Sequence, residues 1–198
     1  MAIKVFIAGD VVPRNRTVEM FNEKRTEALF DGLLPIINEA DIKVVNLEAP
    51  VKNGELTPIK KSGPVLSCTK ETVEVLKDAG FNVVTLANNH FRDQGDQGVK
   101  DTIDALDSNG MYHVGGGINH TDAKKIHYHK TNEGIVAFIN ACEHEFSIAA
   151  ENRGGSNGLD LIALYDSIIE AKRHSDFVLL IIHSITDTKN EKDLSLFY

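Results

Sequence analysis

The sequence predicts a layered α/β fold, with a largely parallel sheet flanked by helices. Three observations predict it. Short apolar runs of strand length alternate with stretches of helical period, Gly, Pro, Asn and Asp punctuate the joins, and each apolar run ends in a polar residue. With 198 residues, 42% of them hydrophobic and 25% charged, the chain has enough apolar material for one core without a disulfide or structural metal.

The elements follow in order. Residues 3–8 form the first apolar run and turn at Gly9-Asp10, and residues 42–47 form the second. Residues 52–64, with Gly54, Pro58, Gly63 and Pro64 among charges, read as an excursion or loose hairpin. Thr69 is placed to cap a helix whose Val73, Leu76 and Ala79 share one face and which Gly80 stops. The third run, 82–87, precedes a helix over 101–108 with Ile103, Leu106 and then Gly110. Residues 126–129 and 135–138 flank Thr131-Asn132-Glu133-Gly134 and predict two antiparallel strands joined by a turn. After a loop at 151–158, a helix over 160–173 carries Leu161, Leu164, Ile168 and Ala171, and residues 177–182 form the last run. The runs at 3–8, 42–47, 82–87, 135–141 and 177–182 are rich in Val, Ile, Leu and Phe, as buried parallel strands are. No repeat or heptad appears, so one domain is expected.

Composition excludes several function classes. With 21 Lys and Arg against 29 Asp and Glu, a net charge of −8 argues against nucleic acid as a partner, because that affinity comes from cationic side chains. The pairs Lys60-Lys61 and Lys124-Lys125 read as solvated surface. No apolar run approaches a membrane span, so no integral membrane segment is expected. The start shows no signal-peptide pattern, and a cytoplasmic location follows as the expectation. Cys68 and Cys142 lack any CxxC spacing and are expected to be packing residues.

The polar residues fall where chemistry belongs in such a fold. Asp10 follows the first run, Asn46 and Glu48 close the second, and Asn88, Asn89 and His90 follow the third. Asn140, Glu143, His144 and Glu145 lie at the end of the fourth, and His183 follows the fifth. Ligands of open α/β sheets bind outside the carboxyl ends of the strands, so these side chains should converge. Carboxylate, amide oxygen and imidazole suit divalent cations such as Mn, Fe, Zn or Mg, and one or two such ions are expected. A carboxylate bridging two ions and a histidine protonating a leaving group would suit ester hydrolysis.

Gly9-Asp10, Asn46-Leu47-Glu48, Leu86-Ala87-Asn88-Asn89-His90, the following Asp93, Gly95, Gly98, Thr102 and Gly110, and Ile181-Ile182-His183 carry a resemblance. Together they resemble the CapA (PgsA-type) family of bacterial capsule and poly-γ-glutamate synthesis, a branch of the calcineurin-like metallophosphatase superfamily. The resemblance implies a metal-dependent phosphoesterase-type hydrolase of surface-polymer synthesis. It assigns Asp10, Glu48, Asn89 and His183 as metal ligands, Glu48 being able to bridge, and His90 as the acid that protonates the leaving group. Asn46, Asn88, Asn140, Glu143 and His144 remain pocket candidates. The sequence departs from the pattern where Val11-Val12 follows Asp10 in place of an x-His pair, and where Ser184-Ile185-Thr186-Asp187 follows His183. A terminal His-x-His motif is lacking as well. These departures predict a family-like domain over 1–183, incomplete at its C-terminal end, and an atypical polar tail over 184–198.

Other motifs carry less. Gly115-Gly116-Gly117 lacks the ending of a phosphate loop and reads as a flexible turn. His113, His120, His127 and His129 read as surface histidines, with His127 and His129 on one strand face. Ser147 and Ser156 lack the nucleophile elbow of a serine hydrolase. The chain therefore reads as a hydrolase acting on a phosphoester or polymer-related substrate, or alternatively as a non-catalytic binding or assembly component. An unpaired sheet edge would favour self-association.

Overall fold

A computed structural model describes residues 2–184 of the chain, so the predicted tail lies, from 185 onward, outside the described residues. Strand β1 (Val5–Val11) leads into short helices α1 (Arg16–Asn22), α2 (Thr26–Phe30) and α3 (Leu34–Asn38), none of which has a helical period long enough to read in advance. Then come β2 (Ile42–Leu47), α4 (Lys70–Asp78), β3 (Val83–Thr85), α5 (Gly95–Ser108) and β4 (Tyr112–Val114). The chain continues through β5 (Gly116–Gly117), α6 (His120–Ala123), β6 (His127–Thr131) and β7 (Gly134–Cys142). It closes with β8 (Gly155–Ser156), α7 (Leu161–His174) and β9 (Phe177–His183). Among the described residues no helix is long and apolar enough to cross a membrane.

The predicted strands divide between two sheets. One is parallel throughout, in the order β1-β2-β3-β4, and the other has the order β6-β7-β9. The turn after Thr131 makes β6 and β7 antiparallel, as expected, and the α7 crossover brings β9 back parallel to β7. The sheets stack face to face over Ile42, Val44, Val83, Val114, Val136 and Phe138. Helices α4 and α5 cover the outer face of the first sheet through Val73, Leu76, Val99 and Leu106, and α7 covers the second through Leu164 and Ala171. The result is four layers, because each sheet has two apolar faces to bury.

Alternation along each strand decides which side chains look between the sheets. On β7, Val136 and Phe138 face the first sheet, and on β9 Leu179 and Ile181 do. Two residues further along each strand stand Asn140 and His183. β1 needs a correction to this rule. Its register runs Ile7 to Val44 and then Asp10 to Asn46, so one extra residue bulges at Ala8-Gly9. Phe6 and Ala8 pack against the helix-side core, and simple alternation would send Asp10 there too; the bulge turns it back beside Asn46.

Candidate metal centre

At the carboxyl ends of the strands, Asp10, Glu48 and His183 each offer a ligand atom, and these atoms lie within 4.8 Å of one another. Asp10 Oδ1 is 3.6 Å from His183 Nδ1, and Glu48 Oε1 is 3.6 Å from His183 Nε2. The Asn89 amide oxygen lies 3.1 Å from His183 Nε2. Two carboxylates, an imidazole and an amide oxygen thus meet, from both sheets and from the turn after β3. Burial first, and the neighbouring Asp10 second, push the Glu48 carboxyl above the usual carboxylate range, against the pull of His183 and His90. A divalent cation is the kind of charge that would relieve this crowding, so the donor set fits one.

The other polar residues divide by what they touch. Asn46 Nδ2 donates to Asp10 Oδ1 at 2.6 Å, while its Oδ1 accepts from Thr85 Oγ1 and Asn88 Nδ2, so Asn46 orients the Asp10 carboxylate. Asn88 is fully buried, donates to Leu47 O and accepts the His90 backbone N–H. Asn140 Oδ1 accepts from the backbone N–H groups of Leu86 and Ala87, and its Nδ2 donates to Ile181 O. Asn88 and Asn140 therefore fix backbone with their amides, and Asn140 also lines the cavity at the cluster. Glu143 receives a hydrogen bond from Ser184 Oγ, and exposed His144 sits against Gly158; neither belongs to the Asp10, Glu48 and His183 cluster. A cavity of about 180 Å³ beneath the cluster is lined by Asp10, Asn46, Thr85, Asn140, Ile181 and His183. A larger one of about 420 Å³ lies elsewhere, beside Lys52, Thr69 and Asp101.

His90 is held from behind. Its Nδ1 lies 2.6 Å from Asp93 Oδ2, a contact that places the proton on Nδ1 and leaves Nε2 as the ring's remaining nitrogen. Asp93 also accepts from the Leu66 backbone N–H and, on Oδ1 at 2.5 Å, from Lys61 Nζ. The Lys61 side chain is 2% exposed and Asp93 0%. Lys61 is thus no part of a solvated Lys60-Lys61 surface pair, because a buried carboxylate needs a counter-charge.

Other expectations change as well. Ser147 Oγ donates to Asn89 O and Ser156 Oγ to Asn88 O, so these serines clamp the Asn-Asn-His turn, a role that no sequence spacing announces. Gly115, Gly116 and Gly117 are buried, and a side chain at Gly115 would run into Asn140 Oδ1; close packing, not a flexible turn, explains them. His127 and His129 are half-buried against Tyr112 rather than free on the surface. Cys68 and Cys142 are buried, and burial pushes both thiols up to about 12, which suits packing residues.

Comparison with known proteins bears on this geometry. The model of the family described as bacterial capsule synthesis protein PGA_cap matches residues 4–194. The capsule biosynthesis protein CapA of Bacillus anthracis is 32% identical over 170 residues, covering 84% of this chain and 41% of that protein. The PGA biosynthesis protein CapA of Bacillus subtilis (strain 168) is 32% identical over 179 residues, covering 88% and 47%. This chain therefore spans less than half the length of these two relatives. Among solved structures, a novel phosphatase of Mycoplasma pneumoniae aligns with a TM-score of 0.54 at 19% identity, covering 98% of this chain and 60% of that one. A hypothetical protein of Thermus thermophilus aligns with a TM-score of 0.55 at 18% identity, covering 98% and 62%. What these structures share with this chain is the layered α/β fold.

Proposed function

The chain belongs to the bacterial capsule synthesis protein family PGA_cap, and from that premise we propose that it is a metal-dependent phosphoesterase-type hydrolase of capsule or poly-γ-glutamate synthesis. The observation that carries this reading is the meeting of Asp10, Glu48, Asn89 and His183 at the strand ends, beside a histidine fixed by its own carboxylate. Asp10, Glu48, Asn89 and His183 would hold one or two divalent cations, with Mn, Fe, Zn or Mg matching their oxygen and nitrogen donors. Bound there, such ions supply Lewis-acid chemistry, lowering the pKa of a water and offsetting charge on phosphoryl oxygens.

The chain's own residues account for the rest. Asn46 keeps the Asp10 carboxylate in one orientation, and the serine-clamped turn keeps Asn89 and His90 in register with it. As a water oxygen bonds to phosphorus and sheds its proton to solvent, the ester P–O bond breaks with its electron pair on the leaving oxygen. His90 in its acid form, with N–H on both ring nitrogens, gives that oxygen the Nε2 proton, keeps Nδ1–H on Asp93 Oδ2, and regains a proton from solvent. The test is elemental analysis of the purified protein, with turnover of p-nitrophenyl phosphoesters after adding Mn²⁺. Bound metal and activity that is lost by about 10²-fold or more in His90→Gln are expected. No bound metal and no turnover would sink the reading.

A specific observation favours the alternative, a non-catalytic assembly component. Among the described residues β9 lies at the edge of its sheet, and Leu161, Ile162 and Tyr165 on α7 and Phe177, Leu180 and Ile182 on β9 are exposed apolar residues. Self-association through that edge would cover them. An inactive, metal-free protein that sediments as a dimer would select this alternative.

A further inference from the structure

The segment 52–68, between β2 and α4, is the longest stretch of irregular chain in the described structure, yet it is tied to one point. Ile59 N–H donates to Asp93 O, Leu66 N–H to Asp93 Oδ2, and Gln94 Nε2 to Leu66 O. At its centre Lys61 reaches inward, 2.5 Å from Asp93 Oδ1 and 3.1 Å from His90 Nδ1, with its ammonium 5.9 Å from the Phe146 ring centroid. Sequestering a lysine is unfavourable unless its charge is answered, and here the answering carboxylate is the one that holds His90.

We infer that Lys61 is a positioning residue for His90, acting through Asp93. The two Asp93 oxygens divide the work: Oδ1 takes Lys61, while Oδ2 takes the His90 Nδ1–H and the Leu66 N–H. With Lys61 in place both carboxylate oxygens are held and the group cannot rotate, so the imidazole has one orientation and a fixed Nδ1–H. Without it Oδ1 has lost its donor, and the carboxylate turns toward whatever donor remains. His90 then loses its fixed Nδ1–H and with it the presentation of Nε2. The catalytic residue remains His90; Lys61 touches no reacting atom. The consequence for turnover rests on the hydrolase reading, but the ordering of the imidazole stands apart from it.

Two measurements on the full chain separate the two claims. In the first, histidine ¹⁵N-labelled protein is examined by NMR without metal, with His90 assigned through His90→Gln. A single, slowly exchanging Nδ1–H signal is expected in the wild type, lost or averaged with the other tautomer in Lys61→Met and restored in Lys61→Arg. In the second, kcat is compared on phenyl phosphate, whose leaving oxygen needs a proton, and p-nitrophenyl phosphate, whose leaving group departs more readily without one. Lys61→Met is expected to lose about tenfold more on the phenyl ester, a part of the roughly 10²- to 10⁴-fold that acid catalysis contributes as a whole. Should Lys61→Met not fold, Lys61→Gln keeps a donor toward Asp93 Oδ1, and the same signature at smaller amplitude is expected. An unchanged His90 signal in either folded variant, or equal losses on both esters, would overturn the role of Lys61. A wild type that hydrolyses neither ester would remove the hydrolase reading and leave the NMR result to decide Lys61.

Discussion

At the residue scale, identical chemistry at neighbouring positions serves different ends, and surroundings decide which. Asn88 and Asn89 are adjacent, but Asn88 commits its amide to Leu47 O and the His90 N–H, whereas Asn89 turns its oxygen toward His183. His127 is a second case. It stacks 4.5 Å from Tyr112 on β4, lies 6.1 Å from Phe138 on β7, and has its Nε2 3.3 Å from His129 Nδ1. Burial, then the proximity of His129 and His113, holds its pKa down to about 4, below the ordinary 6.5. The unfolded chain therefore binds a proton that the folded chain refuses between those values. Stability is complete above about pH 6.5 and declines as the pH falls toward 4. His127→Phe, which keeps the stack, is expected to reduce the fall in melting temperature between neutral pH and pH 5 in calorimetry.

At the scale of elements, strand alternation is readable from the sequence, but departures from it need the partner strand. Asp10 reaches the centre only because β1 carries an extra residue against β2, a pairing invisible to either strand alone. The glycine run after β4 is the converse case, a sequence feature whose cause is tertiary. Gly115 has φ +85°, and a Cβ there would drive into Asn140 Oδ1, the acceptor for Leu86 N–H and Ala87 N–H. Gly115→Ala is expected to combine backbone strain with unpaired buried donors and to destabilise by about 2–3 kcal/mol in urea unfolding. Helix α7 shows local signals suffice where the cap is local: Asp160 accepts from the Ile162 and Ala163 N–H groups, one residue before the helix begins.

At the scale of the whole molecule, the candidate centre is a junction. Asp10 and Glu48 belong to the first sheet and its exit loop, His183 to the last strand of the second, and between those layers lie apolar packing and the Asn140 bonds to the Leu86 and Ala87 N–H groups. A cation held by both would cross-link the sandwich and bind the native state alone. Mn²⁺ at about a hundred times its dissociation constant is then expected to add about 2.7 kcal/mol of stability, read as a rise in melting temperature. Asp10→Asn should abolish that rise without loss of the metal-free fold, since Asp10 is 49% exposed on its side chain. A melting temperature indifferent to Mn²⁺ in the wild type would count against the site.

The layered class, the main strands, the β6–β7 hairpin and the residue types at the strand ends are legible in the sequence. They follow from local period and turn chemistry, which need no partner. Asp10, Glu48, Asn89, His90 and His183 stand in separate motifs at the ends of apolar runs, and the family resemblance groups them before any fold is seen. Long-range contacts were needed to divide the strands between two sheets, since a buried apolar run reads alike in either. The same contacts separated Asn89, turned toward His183, from Asn88 and Asn140, whose amides stitch backbone, and left Glu143 and His144 outside the cluster. They also took Lys61 from a charged, loop-like stretch and buried it behind His90. The cost of burying charge is set by distance to a counter-charge, and Asp93 lies 32 residues away along the chain but within hydrogen-bond reach in space.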